Sequence, residues 1–255
     1  MSIRTKLYQD ILAHPDRDGP RRRYAAYLES QGEELGEFIR LALHAERLPR
    51  PRDGRTLDLH NKFSKQLAAQ LAPWIISHQL DRGLVALVKM DGQTFLDHGK
   101  EVFARAPIQH LDLVNTKPVF AELMANPLLA RVQTLQISNG GLGDAEAALL
   151  AESRYVYSLL RLDVGGNQIG EPGIEAIAAS PNLSKLRRLE FMFNLVESPV
   201  PKYGTDDYGE IDSSMVTYNM PLRCSLLGKY GMKPWLDPPP ENQFIDSFRM
   251  CDAGE

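Results

Sequence analysis

A short apolar pair with one residue between its members returns along this chain at a near-constant interval. No other feature restricts the possible folds as much. Leu162 and Val164 form one copy, followed by Asn167. A step of 27 residues forward gives Leu189 and Phe191, with Asn194 at the same offset. A step of 27 back gives Leu135 and Ile137, a further 24 back lie Leu111 and Leu113, and Val88 with Met90 forms a weaker fifth copy. Between copies the pattern changes from alternation to helical spacing, as in Phe120, Leu123 and Met124 or Ile174, Ile177 and Ala178. Pro107, Pro127 and Pro181 fall in return segments ahead of the next pair. A unit of strand, turn, helix and return carries an apolar edge it cannot bury alone, so such units must stack.

The glycine-rich stretch "GGNQIGEPGIEAIAASPNL" (Gly165–Leu183) looks at first like a phosphate loop. It lacks the parts that hold phosphate. Gly170 is followed by Glu171 and Pro172, where a Walker loop needs Lys and then Ser or Thr, and the G-x-G-x-x-G spacing is absent. The glycines are therefore expected to serve the repeat: Gly170 and Gly173 permit a left-handed or crowded turn from strand to helix. Asn167 and Asn194 are expected to bond backbone groups of the adjacent turn.

Units of this length and pattern are leucine-rich repeats. "LRLDVGGNQIGEPGIEAIAASPNLSKLRRLEF" resembles the ribonuclease-inhibitor type, and the likeness runs from Val88 to Asn194. It implies strands on a concave side and helices on a convex side. Thr116 and Gly140 depart from it where Asn is expected, and no proline precedes "YVYSLLRL". The N-terminal segment resembles a short bacterial repeat-companion domain in Ile11-Leu12, Pro15-Asp16, Pro20-Arg21, Leu28-Glu29, Gly32 and Gly36-Glu37-Phe38-Ile39-Arg40. Ala26 stands where that family usually carries an acid. "RGLVALVKMDGQTFLDHGKEVFARAPIQHLDL" resembles the junction that joins this domain to repeats. The resemblance assigns the companion domain no biochemical role.

The residues of this first region read as helices without the family. Asp18 is a usable cap with Pro20 at a first helical position. Tyr24, Tyr27 and Leu28 share a helical face, as do Phe38, Leu41 and Leu43. "RLPRPRDGR" (Arg47–Arg55) reads as a linker before a helix over Thr56–Ala72 that shows Leu57, Phe63 and Leu67. Such a bundle covers the open end that a repeat array must close.

After Asn194 the pattern fades. Val216 and Tyr218 stand 27 residues beyond Leu189 and Phe191, which predicts one degenerate closing strand. Residues 203–255 hold nine acidic and four basic side chains. Pro238–Pro240 beside Trp235 reads as a stiff spacer, or alternatively as a peptide ligand. The expected fold is thus an α/β leucine-rich repeat solenoid of about five short parallel strands with convex helices, capped by an N-terminal helical bundle. Its divisions are 1–82 (capping region), 83–222 (repeats) and 223–255 (irregular acidic tail).

The chemistry of the chain is sparse. His14, His44, His60, His78, His98 and His110 are scattered, and no pair has zinc-ligand spacing. Cys224 and Cys251 have no histidine nearby in sequence, and G-x-S-x-G is absent, so the chain is expected to be non-catalytic, without metal or cofactor. Residues 1–60 hold eleven basic and ten acidic side chains, so Arg21-Arg22-Arg23 does not signal nucleic acid; these arginines are expected to be solvated or paired within the bundle. No apolar run reaches membrane-spanning length. Two cysteines suit a reducing compartment, and a cytoplasmic location is expected.

Strand alternation places the candidate site on the concave face. It comprises Lys89 and Asp91; His110 and Asp112, with Val114; Thr134, Gln136 and Ser138; Arg161 and Asp163; and Arg188, Glu190 and Met192. Stacked in register, one column runs His110, Thr134, Arg161, Arg188 and the next Asp112, Gln136, Asp163, Glu190. The expected function is recognition of another protein or peptide on this face, as adaptor, inhibitor or scaffold. The alternative is a carrier or regulated substrate whose C-terminal tail is bound or modified by a partner enzyme.

Overall fold

The computed structural model describes residues 1–45, 54–197, 199–200, 202–205, 211–217 and 219–236. Most of the expected linker, Tyr218, Cys251 and Pro238–Pro240 lie outside them. The protein is mixed α/β. Among the described residues, one compact unit holds Met1–Met90 and Asp97–His110, and the other holds Asp91–Leu96 and the chain from Leu111 onward.

The first unit begins with four helices: α1 (Ile3–Ala13), α2 (Asp18–Ser30), α3 (Glu34–Ala45) and α4 (Gly54–Ala69). Ser2 caps α1 by accepting from the Thr5 amide at 3.1 Å. Ile11, Tyr24, Leu28, Phe38, Ile39, Leu59 and Phe63 form one buried cluster, and the Phe38 and Phe63 rings stack with centroids 5.6 Å apart. Each full burial of a side chain of this size contributes roughly 1.5–3 kcal/mol.

Three local features of this unit can be set beside the sequence. Asp18 is the first helical residue of α2 rather than its cap, and its carboxylate pairs with Arg22 and Arg82 instead. On α4, Leu57 is 60% exposed, and Leu59 takes its place in the core, one turn before Phe63. Of the arginine triplet, Arg22 and Arg23 are exposed and pair with Asp18 and Asp10. Arg21 is wholly buried and donates to the Pro15 carbonyl at 2.5 Å.

A hairpin that the sequence reading did not anticipate follows: β1 (Ser77–Asp81) pairs antiparallel with β2 (Leu84–Asp91). Its turn is Arg82-Gly83, with φ of 50° and 80°, the two successive left-handed residues of a type I′ connection. Arg82 is held there by its own side chain, which reaches Asp81, Asp18, Gln109 and the carbonyls of Pro15 and Asp16. On α5 (Gly92–Arg105), His98 and Arg105 both meet the Trp74 ring, at 5.5 and 4.6 Å between centres.

The second unit alternates strands and helices: β3 (His110–Val114), α6 (Phe120–Met124), β4 (Thr134–Gln136), α7 (Asp144–Glu152), β5 (Arg161–Asp163), α8 (Glu171–Ala179) and β6 (Arg188–Glu190). β1 to β6 form one open sheet in sequence order. Within the second unit β4, β5 and β6 are parallel, with Thr134, Arg161 and Arg188 in register and Leu135, Leu162 and Leu189 beside them. These leucines are at most 2% exposed, while their flanking residues are half-buried. The last three members of each column read from the sequence stand in register here.

The polar groups between successive copies within this unit explain the fixed period. Asn167 is buried; its amide nitrogen donates to the carbonyls of Ile137, Val164 and Gly165, and its oxygen accepts from the Gly140 and Leu142 amides. Asn194 repeats the pattern toward Val164, Phe191, Met192 and Ile169. Ser153 and Ser180, also 27 apart, each donate at 2.5 Å to a carbonyl of the preceding unit, Met124 and Ala151 respectively.

Glycine falls into two roles. Gly166 is left-handed (φ 66°), at the offset that carries Asn115, Asn139 and Phe193 in the other copies, all with positive φ. Gly173 is needed for space: a Cβ there would lie 2.5 Å from Ile169 Cγ2. The crowding half of the expectation for Gly173 is what the structure contains, and the left-handed half belongs to Gly166.

After β6, β7 (Lys202–Thr205) and β8 (Ile211–Thr217) form a separate antiparallel pair. Val216, expected to close the array, pairs with Tyr203 and adds no strand to the larger sheet. Residues 223–230, expected to be irregular, lie in α9 (Met220–Tyr230), which is capped by Asn219 and packs on α8. Lys229 bonds Glu175 of α8 at 2.5 Å, and Arg223 donates to the Leu236 carbonyl. Trp235 and Leu236 are buried.

Candidate functional site

The sheet alternation that buries Leu135, Leu162 and Leu189 turns Thr134, Gln136, Arg161, Asp163, Arg188 and Glu190 to the opposite face. All six are half-buried. Two guanidiniums converge on one carboxylate: Arg161 Nη2 stands 3.7 Å from Glu190 Oε1, and Arg188 Nε bonds the same oxygen. The Arg161 link crosses from β5 to β6, so it is the diagonal pairing that relieves repulsion between Arg161 and Arg188 in adjacent register positions. The three side chains remain 24–30% accessible, which limits each pair to under about 1 kcal/mol.

The other acids have local duties. Asp163 accepts from the Gly165 amide at 2.9 Å, bracing the turn after β5. Asp91 accepts from the amides of Gln93 and Thr94 and from the Asn115 side chain at 2.9 Å. These bonds, the Asn115 one first, hold its carboxyl below the ordinary aspartate range. Gln136 donates to Ser138 at 3.4 Å. Lys89 lies on β2 and His110 and Asp112 on β3, all half-buried. Met192, just past β6, is 37% exposed and leads into Phe193 (83%) and Leu195 (71%). The sequence pattern points to Met192 but not to the two more exposed apolar groups that follow it.

The helix start behind the glycine-rich turn is also occupied. Asp144 Oδ1 accepts from the Gly170 amide at 2.7 Å and the Gly173 amide at 3.0 Å. A carboxylate of the preceding unit therefore fills the place where a phosphate loop would present its amides. Among the described residues, no group of three or more His, Cys, Asp or Glu is arranged to hold a metal ion. No described helix is long and apolar enough to cross a membrane. No protein-family model, curated protein or solved structure matches this chain.

Proposed function

We propose that the chain is a leucine-rich repeat protein of ribonuclease-inhibitor type whose concave face recognises another protein or peptide without catalysis. The observation that carries this reading is the in-register polar face of β4–β6, backed by a buried leucine row. Short parallel strands place one polar side chain per column about every 4.8 Å, a spacing suited to an extended partner. The 27-residue recurrence of Asn167 with Asn194 and of Ser153 with Ser180 supports the repeat assignment. Arg161 and Arg188 are the residues that bind. Their shared pairing with Glu190 is weak enough to be exchanged for a partner's carboxylate.

The test is capture from the native lysate with the full chain, the double variant Arg161→Glu/Arg188→Glu, and Arg22→Glu on α2 as a control for surface charge. The partner is expected with wild type and Arg22→Glu and is lost with the double variant, whose circular dichroism and melting remain close to wild type. Retention by the folded double variant rejects the assignment of this face.

A further inference from the structure

We propose that β6 is a self-pairing edge, through which two copies of this chain join about a two-fold axis at Leu189. The backbone bonds fix which groups of β6 are aimed outward. The Arg188 amide donates to Leu160, and the carbonyls of Glu190 and Met192 accept from Val164 and Gly166, so residues 188, 190 and 192 face β5. Alternation aims the amide and carbonyl of Leu189 the other way, while the Phe191 carbonyl accepts from the Asn194 side chain. β6 is the last strand of the sheet, and among the described residues the next two strands pair with each other instead. Such an edge is a template for another strand.

The side chains select a second copy as that strand. In an antiparallel pair centred on Leu189, Leu189 meets Leu189 of the second copy and the two exchange backbone bonds. Arg188 then stands opposite Glu190 of the second copy, and Glu190 opposite its Arg188. This is the closer, non-hydrogen-bonded pair position, where opposite charges attract. The segment is therefore self-complementary in charge, as an isologous two-fold contact requires. Both leucines stay on the face already buried.

A second, independent feature adjoins the same edge. Met192, Phe193 and Leu195 are three exposed apolar residues within four positions, and Phe193 is 83% exposed with φ of 58°. The equivalent positions carry Asn115, Asn139 and Gly166, residues suited to left-handed backbone. A bulky apolar group held in that conformation and open to water is unfavourable twice over in one copy. Contact with a second chain removes the exposure.

The test is sedimentation of the purified full chain from about 1 to 200 μM, a range that spans weak edge pairing. The mass is expected to rise from that of one chain, 28.6 kDa, toward twice that value. Arg188→Glu alone and Glu190→Arg alone are each expected to weaken association at least tenfold. Mixed in equal amounts they restore it as a heterodimer, because every cross-strand pair is again opposite in charge. Phe193→Asn is expected to weaken association while melting at or above the wild-type temperature. A monomer throughout the range overturns the proposal. So does a dimer that neither single reversal weakens, or one that the mixture of folded variants does not restore.

Discussion

Asn167 concentrates more of the second unit's polar economy than any charged residue. Its side chain satisfies three carbonyls and two amides, drawn from its own turn and the turn one repeat earlier. Removal leaves several buried backbone groups without partners, each a cost of about 1–3 kcal/mol before relaxation. Asn167→Ala is expected to lower stability by about 2–4 kcal/mol, measured by urea unfolding, with little change in the helical signal of the folded state. In the first unit, His78 makes the pH-dependent contribution that the structure explains best. Burial holds its pKa below the ordinary imidazole value, a hydrogen bond with the Ser64 backbone opposes this, and His60 lowers it further. As pH falls through the unfolded value of about 6.5, the unfolded chain takes up this proton first. The contribution is complete above that pH and declines below it until the lowered folded pKa is passed. Melting temperature is therefore expected to fall as pH drops below about 6.5, and less so in His78→Gln, by differential scanning calorimetry on both sides of that pH.

At the scale of elements, legibility followed periodicity. β4, β5 and β6 were placed by their leucines and registered by a constant step, because a parallel stack with a fixed repeat permits one alignment. The β1–β2 hairpin is not legible although Arg82-Gly83 is a two-residue turn, since Arg seldom enters left-handed backbone and is held there by side-chain partners that include the distant Asp18 and Gln109. Leu57 misled for the reverse reason: apolar type marked it as core, but the face of α4 is set by Leu59 and Phe63. The site's polar columns were legible, whereas the local duties of Asp91 and Asp163 depend on turn amides that no spacing rule reveals. The helix α9 was hidden by Pro221 and Gly228, yet Pro221 sits in the first turn, where its missing amide does no harm. It adds the next helix to the row, in contact with α8. Ending the chain after Thr217 uncovers α8. Amide exchange is then expected to quicken first in α8 and next in α7, while α1–α3 keep their protection, as hydrogen-exchange mass spectrometry will resolve.

At the scale of the molecule, two ways of making a core are joined in one chain. The helices α1–α4 bury a shared cluster drawn from distant turns. From β4 onward, each strand and helix meets chiefly the copy before and the copy after, so stability there sums over neighbours. Four links between copies span a similar length of chain: Asn167 back to Ile137, Asp144 forward to Gly173, Ser153 back to Met124, Ser180 back to Ala151. That regularity bears on how the protein is made. A ribosome delivers residues in order, so the Gly140 and Leu142 amides emerge well before the side chain that completes them. Each newly synthesised copy thus waits, unfinished, for its successor. The growing end is always the least settled part of the nascent chain, and the arrival of α9 is what lets α8 stop waiting.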